Sequence, residues 1–413
     1  MTSTSLSPSL VTIPEATLNA MIGWRRDFHA HPETAFQEHR TARVIGGLLE
    51  GMGMEVQRGI AGTGLVATLR NGPGPTIGLR ADMDALDMCE KGERAHASTT
   101  PGKMHGCGHD GHMAMLLGAA RHLSERRDFE GTVHFIFQPA EENEAGGRAM
   151  VEAGLFERFP CDAVFGLHNA PDLPFGHFAL RPGPMMACSD LFEIVISGQG
   201  AHAAHPQKSR DAVVASSQVI AALQGIVSRN VSATDALVLS ITQINGGDTW
   251  NVIPETVTLR GTCRSFVPAV QDRAEARIRS VCAGVAEASE TKISLNYRRH
   301  YPAVVNAPAQ TGVLVRAATR LVGADRVDTQ CGLRMGSEDF AFLLQACPGA
   351  YVLLGTARTP NDPPVHNPHY DFNDDALPLG AAFWVSVVHE ALAPRAVDQN
   401  KHLESSHKEE TFP

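Results

Sequence analysis

The pattern of the chain changes twice, and this double change limits its fold more than any other sequence feature. Up to about residue 186, helices alternate with short apolar runs. Leu18, Met21 and Ile22 fall at helical spacing within 15–30, and a second helix over 38–51 stops at Gly51 and Gly53. A long Ala/Leu/Met helix runs from His109 to about Ser124, and strand-like runs occupy 64–69, 76–79, 133–137 and 163–167. Such alternation predicts an α/β layer around a mostly buried sheet. From 187 the order becomes strand 190–197, helix 208–229, strand 236–244, strand 256–265, helix 269–289, strand 292–298. This βαββαβ order is the split unit of a small ferredoxin-like, two-layer domain. After Pro302 the first pattern returns, with helices at 309–322, 338–346 and 375–392 and a strand at 350–355. The predicted fold class is therefore α/β with two domains. A main domain with a mixed sheet covers 14–186 and 303–395, and an inserted βαββαβ domain over 187–302 interrupts it. The Ser/Thr/Pro-rich start reads as loose and the polar stretch 396–413 as a disordered tail.

Composition narrows the class of function. A chain of 413 residues exceeds one ordinary core, and 43% hydrophobic with 19% charged residues suits a soluble globular protein. The net charge of −10 argues against a nucleic-acid partner, because phosphate binding needs a basic surface. No apolar run approaches the roughly 20 residues of a bilayer span. Met1–Leu10 has no basic stretch before an apolar one, so neither membrane nor export is expected. Eight cysteines lie scattered without a CxxC pair. Reduced thiols in a cytoplasmic protein are the default, and all but one of these cysteines read as core or boundary residues.

The exception is Cys107, in His105-Gly106-Cys107-Gly108-His109-Asp110-Gly111-His112. Its glycine neighbours let the backbone bend, and the start of a helix is expected to lower the thiol pKa toward thiolate. About thirty residues on, the run Phe135-Ile136-Phe137-Gln138-Pro139-Ala140 leads into Glu141-Glu142. Thiolate, imidazole and carboxylate beside strand ends are the donor types of a catalytic divalent ion. Two adjacent glutamates on a turn can point different ways. The second can then bind metal while the first moves protons. A third strand ends at His168, a Pro-rich loop offers His366, and Thr76–Leu79 runs on to Asp82 and Asp84. Taken singly, each has a plain structural alternative: a helix cap, a solvated turn, a packed histidine. His112, on the same helix face as His109, reads as a supporting or packed residue. In the insert, His202 sits in a small-residue loop from which it could reach a developing oxyanion. Asn251 and Arg264 could bind a substrate carboxylate. Together these features predict a metal-dependent hydrolase.

With these segments in view, the chain resembles the M20 metallopeptidase family, in its hippurate hydrolase and indole-acetyl-amino-acid hydrolase branch. The likeness runs from about Trp24 to Val388. It rests on Asp27-Phe28-His29-Ala30-His31-Pro32-Glu33, Arg80-Ala81-Asp82-Met83-Asp84, His105-Gly106-Cys107-Gly108-His109-Asp110, Gln138-Pro139-Ala140-Glu141-Glu142, Gly166-Leu167-His168, Asn251-Val252-Ile253-Pro254, Met335-Gly336-Ser337-Glu338-Asp339-Phe340 and His366-Asn367-Pro368. It implies a site for two divalent ions (zinc, manganese, cobalt or nickel). Cys107, His109, Glu142, His168 and His366 would be the ligands, Glu141 the general base and Asp84 an outer support. Many members carry a His-x-Asp strand end and a bridging Asp; Asp82-Met83-Asp84 and Cys107 stand here instead, which favours the amidohydrolase branch. The insert would be a lid and dimerisation domain, giving a homodimer or higher homo-oligomer, with His202 acting in the partner's site. The implied substrate is an N-acyl-L-amino acid such as hippurate. A dipeptidase or small-peptide carboxypeptidase on the same scaffold is the alternative. A non-catalytic metal-binding protein is the remote one, since Glu141 is present.

Overall fold

The structure is a computed structural model and describes residues 11–393. The expected tail over 396–413, most of the loose start and the last residues of 303–395 lie outside the described residues. The larger sheet has eight strands, in the order Glu55–Ile60, Gly64–Asn71, Gly131–Gln138, Thr76–Asp82, Ala163–Pro174, Gly349–Ala357, Phe178–Ala179, Val327–Asp328. Thr76–Asp82 runs parallel to both neighbours, and Gly349–Ala357 runs parallel to Ala163–Pro174. The flanks add antiparallel pairs, so the sheet is mixed, as predicted.

Parallel strands end at the same rim. Register sets Asp82 beside Gln138 and His168 beside Leu353. The central strands are apolar because both faces are covered. Helices Glu15–Ala30, His39–Gly51, His109–Arg126 and Leu377–Ala391 bury Phe28, Ile45, Leu116 and Trp384 on one face. The short helices Gly146–Glu152 and Phe340–Ala346 bury Met150, Phe340 and Leu343 on the other. Each such large apolar side chain contributes roughly 1.5–3 kcal/mol by leaving water.

After Met186 the chain builds the second sheet. The elements are Ser189–Ser197, helix Ala212–Arg229, Leu237–Asn245, Thr256–Ser265, helix Pro268–Ser289 and Lys292–Tyr301, the predicted βαββαβ order. The four strands are antiparallel, in the order Leu237–Asn245, Thr256–Ser265, Ser189–Ser197, Lys292–Tyr301. Ile194, Val219, Leu223, Leu259 and Ile278 form a core separate from that of the main sheet.

Three readings need correction. The first insert helix begins at Ala212 and not at 208, because the Asp211 carboxylate accepts from the Val213 and Val214 N–H groups; Pro206–Lys208 is a separate 3-10 turn. That helix, 18 residues long, has the length and apolar character of a membrane span, which sequence inspection denied to every segment. Its position accounts for the composition: Ala215, Val219, Leu223 and Ile226 are buried against the four-stranded sheet. Cys89 is exposed and so is no core residue. Sequence inspection also passed over Glu55–Ile60, an edge strand with only Ile60 fully buried.

Candidate active site

The rim of the large sheet gathers the side chains singled out above. His168 stands on its strand, Glu141 and Glu142 follow theirs, and Cys107 and His109 stand at the start of helix His109–Arg126. The His366 N–H donates to the Gly106 carbonyl at 2.8 Å, which pins the C-terminal loop to the Cys107 loop. Gly108 has φ +92°, and a Cβ there would collide with Asn169 and Tyr370, so this bend requires glycine. Cys107 Sγ lies 3.3 Å from His168 Nε2, and His366 Nε2 lies 3.1 Å from Glu142 Oε1. Donor atoms of three sets each fall within 4.8 Å of one another: Cys107, His109 and His168; Cys107, Glu142 and His366; His109, Glu141 and Glu142. All five expected ligands and Glu141 therefore occupy one place.

The supports are specific. The Asp84 carboxylate accepts the Glu141 N–H at 3.0 Å and the Glu142 N–H at 2.9 Å. The Asp84 carbonyl pairs with His109 Nδ1 at 2.8 Å, which turns Nε2 toward the cluster. His112 has both ring nitrogens engaged, with Asp82 Oδ1 and Asn169 Oδ1 each at 2.6 Å, so it supports and does not offer a donor.

The donor set fits divalent ions. His109 Nε2 is buried and has no hydrogen-bond partner among the described residues. Burial opposes charging His109, yet Asp82 and Asp84 pull its imidazole up to about 10. Burial, then Glu338, Glu142 and Asp339, pushes the Glu141 carboxyl well above the usual range. The cluster thus holds more anionic oxygen than cation, an imbalance that bound cations relieve. His168 is kept neutral by burial and by His112, the state a ligand needs. Cys107 departs from expectation. Burial, then Glu142, Glu141 and Asp82, raises its thiol well above the ordinary value, overriding the helix start. A thiolate here needs a bound cation.

The cluster floors a cleft of about 710 Å³. Arg264 lines its wall, and its guanidinium has one hydrogen-bond partner among the described residues, the Cys263 carbonyl at 3.1 Å. His202 and Asn251 are not in this lining. His202 lies exposed on a two-stranded ribbon, Ala201–His202 with Val252–Ile253, beside fully exposed Trp250.

Beneath the site lies an ionic layer that no motif of the sequence announces. Arg80 is buried and pairs with Asp82 Oδ2 at 2.8 Å, Glu338 Oε1 at 3.0 Å and Asp339 Oδ1 at 3.1 Å. Removing one partner of such a group costs roughly 3–5 kcal/mol. The available signal was an arginine inside an apolar strand, which demands buried counter-charge.

Comparison with known proteins gives three close likenesses and a family match. Residues 78–390 match the profile of Peptidase family M20/M25/M40. The chain is 39% identical over 375 residues to the IAA-amino acid hydrolase ILR1-like 4 of Arabidopsis thaliana, covering 89% of this chain and 84% of that one. It is 38% identical over 367 residues to the hippurate hydrolase of Campylobacter jejuni, covering 88% and 94%. Its fold superposes with TM-score 0.80 and 34% identity on the Bacillus subtilis YXEP protein, described as a dinuclear metal-binding peptidase from the M20 family, covering 92% and 99%.

Proposed function

Since the chain belongs to peptidase family M20/M25/M40, we propose that it hydrolyses the amide bond of N-acyl-L-amino acids of the hippurate type, giving a carboxylic acid and a free amino acid. Membership makes it a metal-dependent amidohydrolase that uses divalent ions. The observation that carries the finer reading is the convergence of Cys107, His109, Glu142, His168, His366 and Glu141 under a cleft that also holds Arg264. We assign those first five as the ligands of two ions. Bound there, the ions would polarise the amide carbonyl and acidify water.

Glu141 takes the proton of the attacking water and delivers it to the leaving nitrogen. Arg264 orients the substrate through the amino-acid carboxylate, and Asn251 of the partner subunit assists.

We assign His202 to the partner's site. The insert carries exposed apolar side chains on one helix (Val213, Val214, Val227) and on its edge strand Leu237–Asn245 (Val238, Ile244). A homodimer through that face covers them and brings the ribbon bearing His202 and Asn251 to a second cleft. The cytoplasm is the proposed compartment, on cysteines that all stand free.

The test is a substrate panel on metal-reconstituted protein. Benzoylglycine and acetyl-amino acids should be cleaved in preference to Gly-X dipeptides. Faster cleavage of the dipeptides would replace this reading with a dipeptidase.

A further inference from the structure

We infer that Tyr301 is a positioning residue that ties the inserted domain to the backbone of the proton carrier Glu141; the inference rests on the role proposed for Glu141. Tyr301 is the last residue of the insert's closing strand, Lys292–Tyr301, where the chain re-enters the α/β domain. Its ring is 5% exposed. Its hydroxyl donates to the Glu141 carbonyl at 2.6 Å and accepts the Ala145 N–H at 3.1 Å.

The turn it grips is strained. Ala140, Asn143 and Ala145 have φ of +52°, +68° and +56°, the left-handed region that side chains disfavour. A Cβ at Gly146 would strike the Pro139 carbonyl, so the turn has no room to relax there. Backbone of this kind persists only where its surroundings over-determine it. Here the anchors are Glu38, which accepts the Ala140 N–H at 2.9 Å, Asp84, which accepts the Glu141 and Glu142 N–H groups, and Tyr301. Of these, only Tyr301 belongs to the insert. A displacement of the insert therefore reaches the Glu141 peptide through one hydrogen bond, with no other side chain between.

Tyr301→Phe removes the hydroxyl and leaves the ring edge-on to Phe342. In the reconstituted enzyme kcat should fall about tenfold, the worth of one net hydrogen bond, with KM for hippurate and metal content as in wild type. Assays run below the melting temperature of every variant. The deciding measurement is a cycle with Glu141→Gln. If Tyr301 acts through Glu141, adding Tyr301→Phe to the Gln variant costs no further activity. Wild-type turnover in Glu141→Gln alone would overturn the general-base reading and this inference with it. A Glu141→Gln variant reduced to a measurable residual activity, combined with full kcat in Tyr301→Phe or with a further loss of about tenfold of that residual in the double variant, would overturn the Tyr301 inference alone.

Discussion

Replacing Arg264 by Gln tests how the cleft holds its substrate. The guanidinium lines the cleft, has no carboxylate partner among the described residues, and makes one 3.1 Å bond to the carbonyl of its neighbour Cys263. Little of the fold depends on it, so stability should stay close to wild type. A charge-assisted hydrogen bond to a substrate carboxylate is worth about 1.5–3 kcal/mol, which corresponds to a loss of roughly 10- to 150-fold in kcat/KM. The assay is a two-by-two comparison of wild type and Arg264→Gln, on benzoylglycine and on its amide, which lacks the carboxylate. The variant should lose its 10- to 150-fold only on the acid. On the amide, wild type and variant should run within about twofold of each other. Equal losses on both substrates would mean that Arg264 shapes the cleft and does not bind the carboxylate.

Other predictions address ligation, assembly and pH. Cys107→Ala should lower metal content, and wild-type Cys107 should react with an alkylating agent faster after chelation than before; equal rates would remove it from the ligand set. Mixing His202→Ala with Glu141→Gln should restore part of the activity once subunits exchange, because one site per mixed dimer keeps both residues. Background activity despite exchange, verified by mass, would refute action in trans. Burial, with Arg70 adding to it, holds the His134 imidazole down at about 4, so the folded chain binds fewer protons there than the unfolded chain. Its contribution is complete above the ordinary 6.5 and is lost as pH falls toward 4, a swing of roughly 3 kcal/mol. His134→Asn should remove that swing from urea-denaturation midpoints of the chelated protein; an unchanged slope would show that His134 titrates normally.

Much of the site could be read from the sequence because its chemistry is local. Cys107 and His109 sit among glycines at a helix start, and Glu141-Glu142 and His168 follow apolar runs. What the sequence hid is non-local. Arg80 meets Glu338 and Asp339 from opposite ends of the chain, and Tyr301 reaches Glu141 from another domain. No periodicity encodes such pairings. The two-residue strand Val327–Asp328 forms against Phe178–Ala179, which is itself held by Gly349–Ala357, a partner about 170 residues away in sequence. The Cys107 thiol misled for a related reason: its neighbours in sequence argue for ionisation, while those in space, Glu142, Glu141 and Asp82, argue against it.

The order of strands in the large sheet has a consequence for synthesis on the ribosome. Ala163–Pro174 gains its partner Gly349–Ala357 only after the entire insert has emerged, and His366 comes later still. The insert closes its own core by Tyr301, so it can finish while the sheet beside it still lacks a central strand. A nascent chain halted between these points would carry a folded insert and an open apolar sheet edge. It would also lack a complete set of donors. The amidase activity thus depends on the last quarter of the chain, which supplies both Gly349–Ala357 and His366.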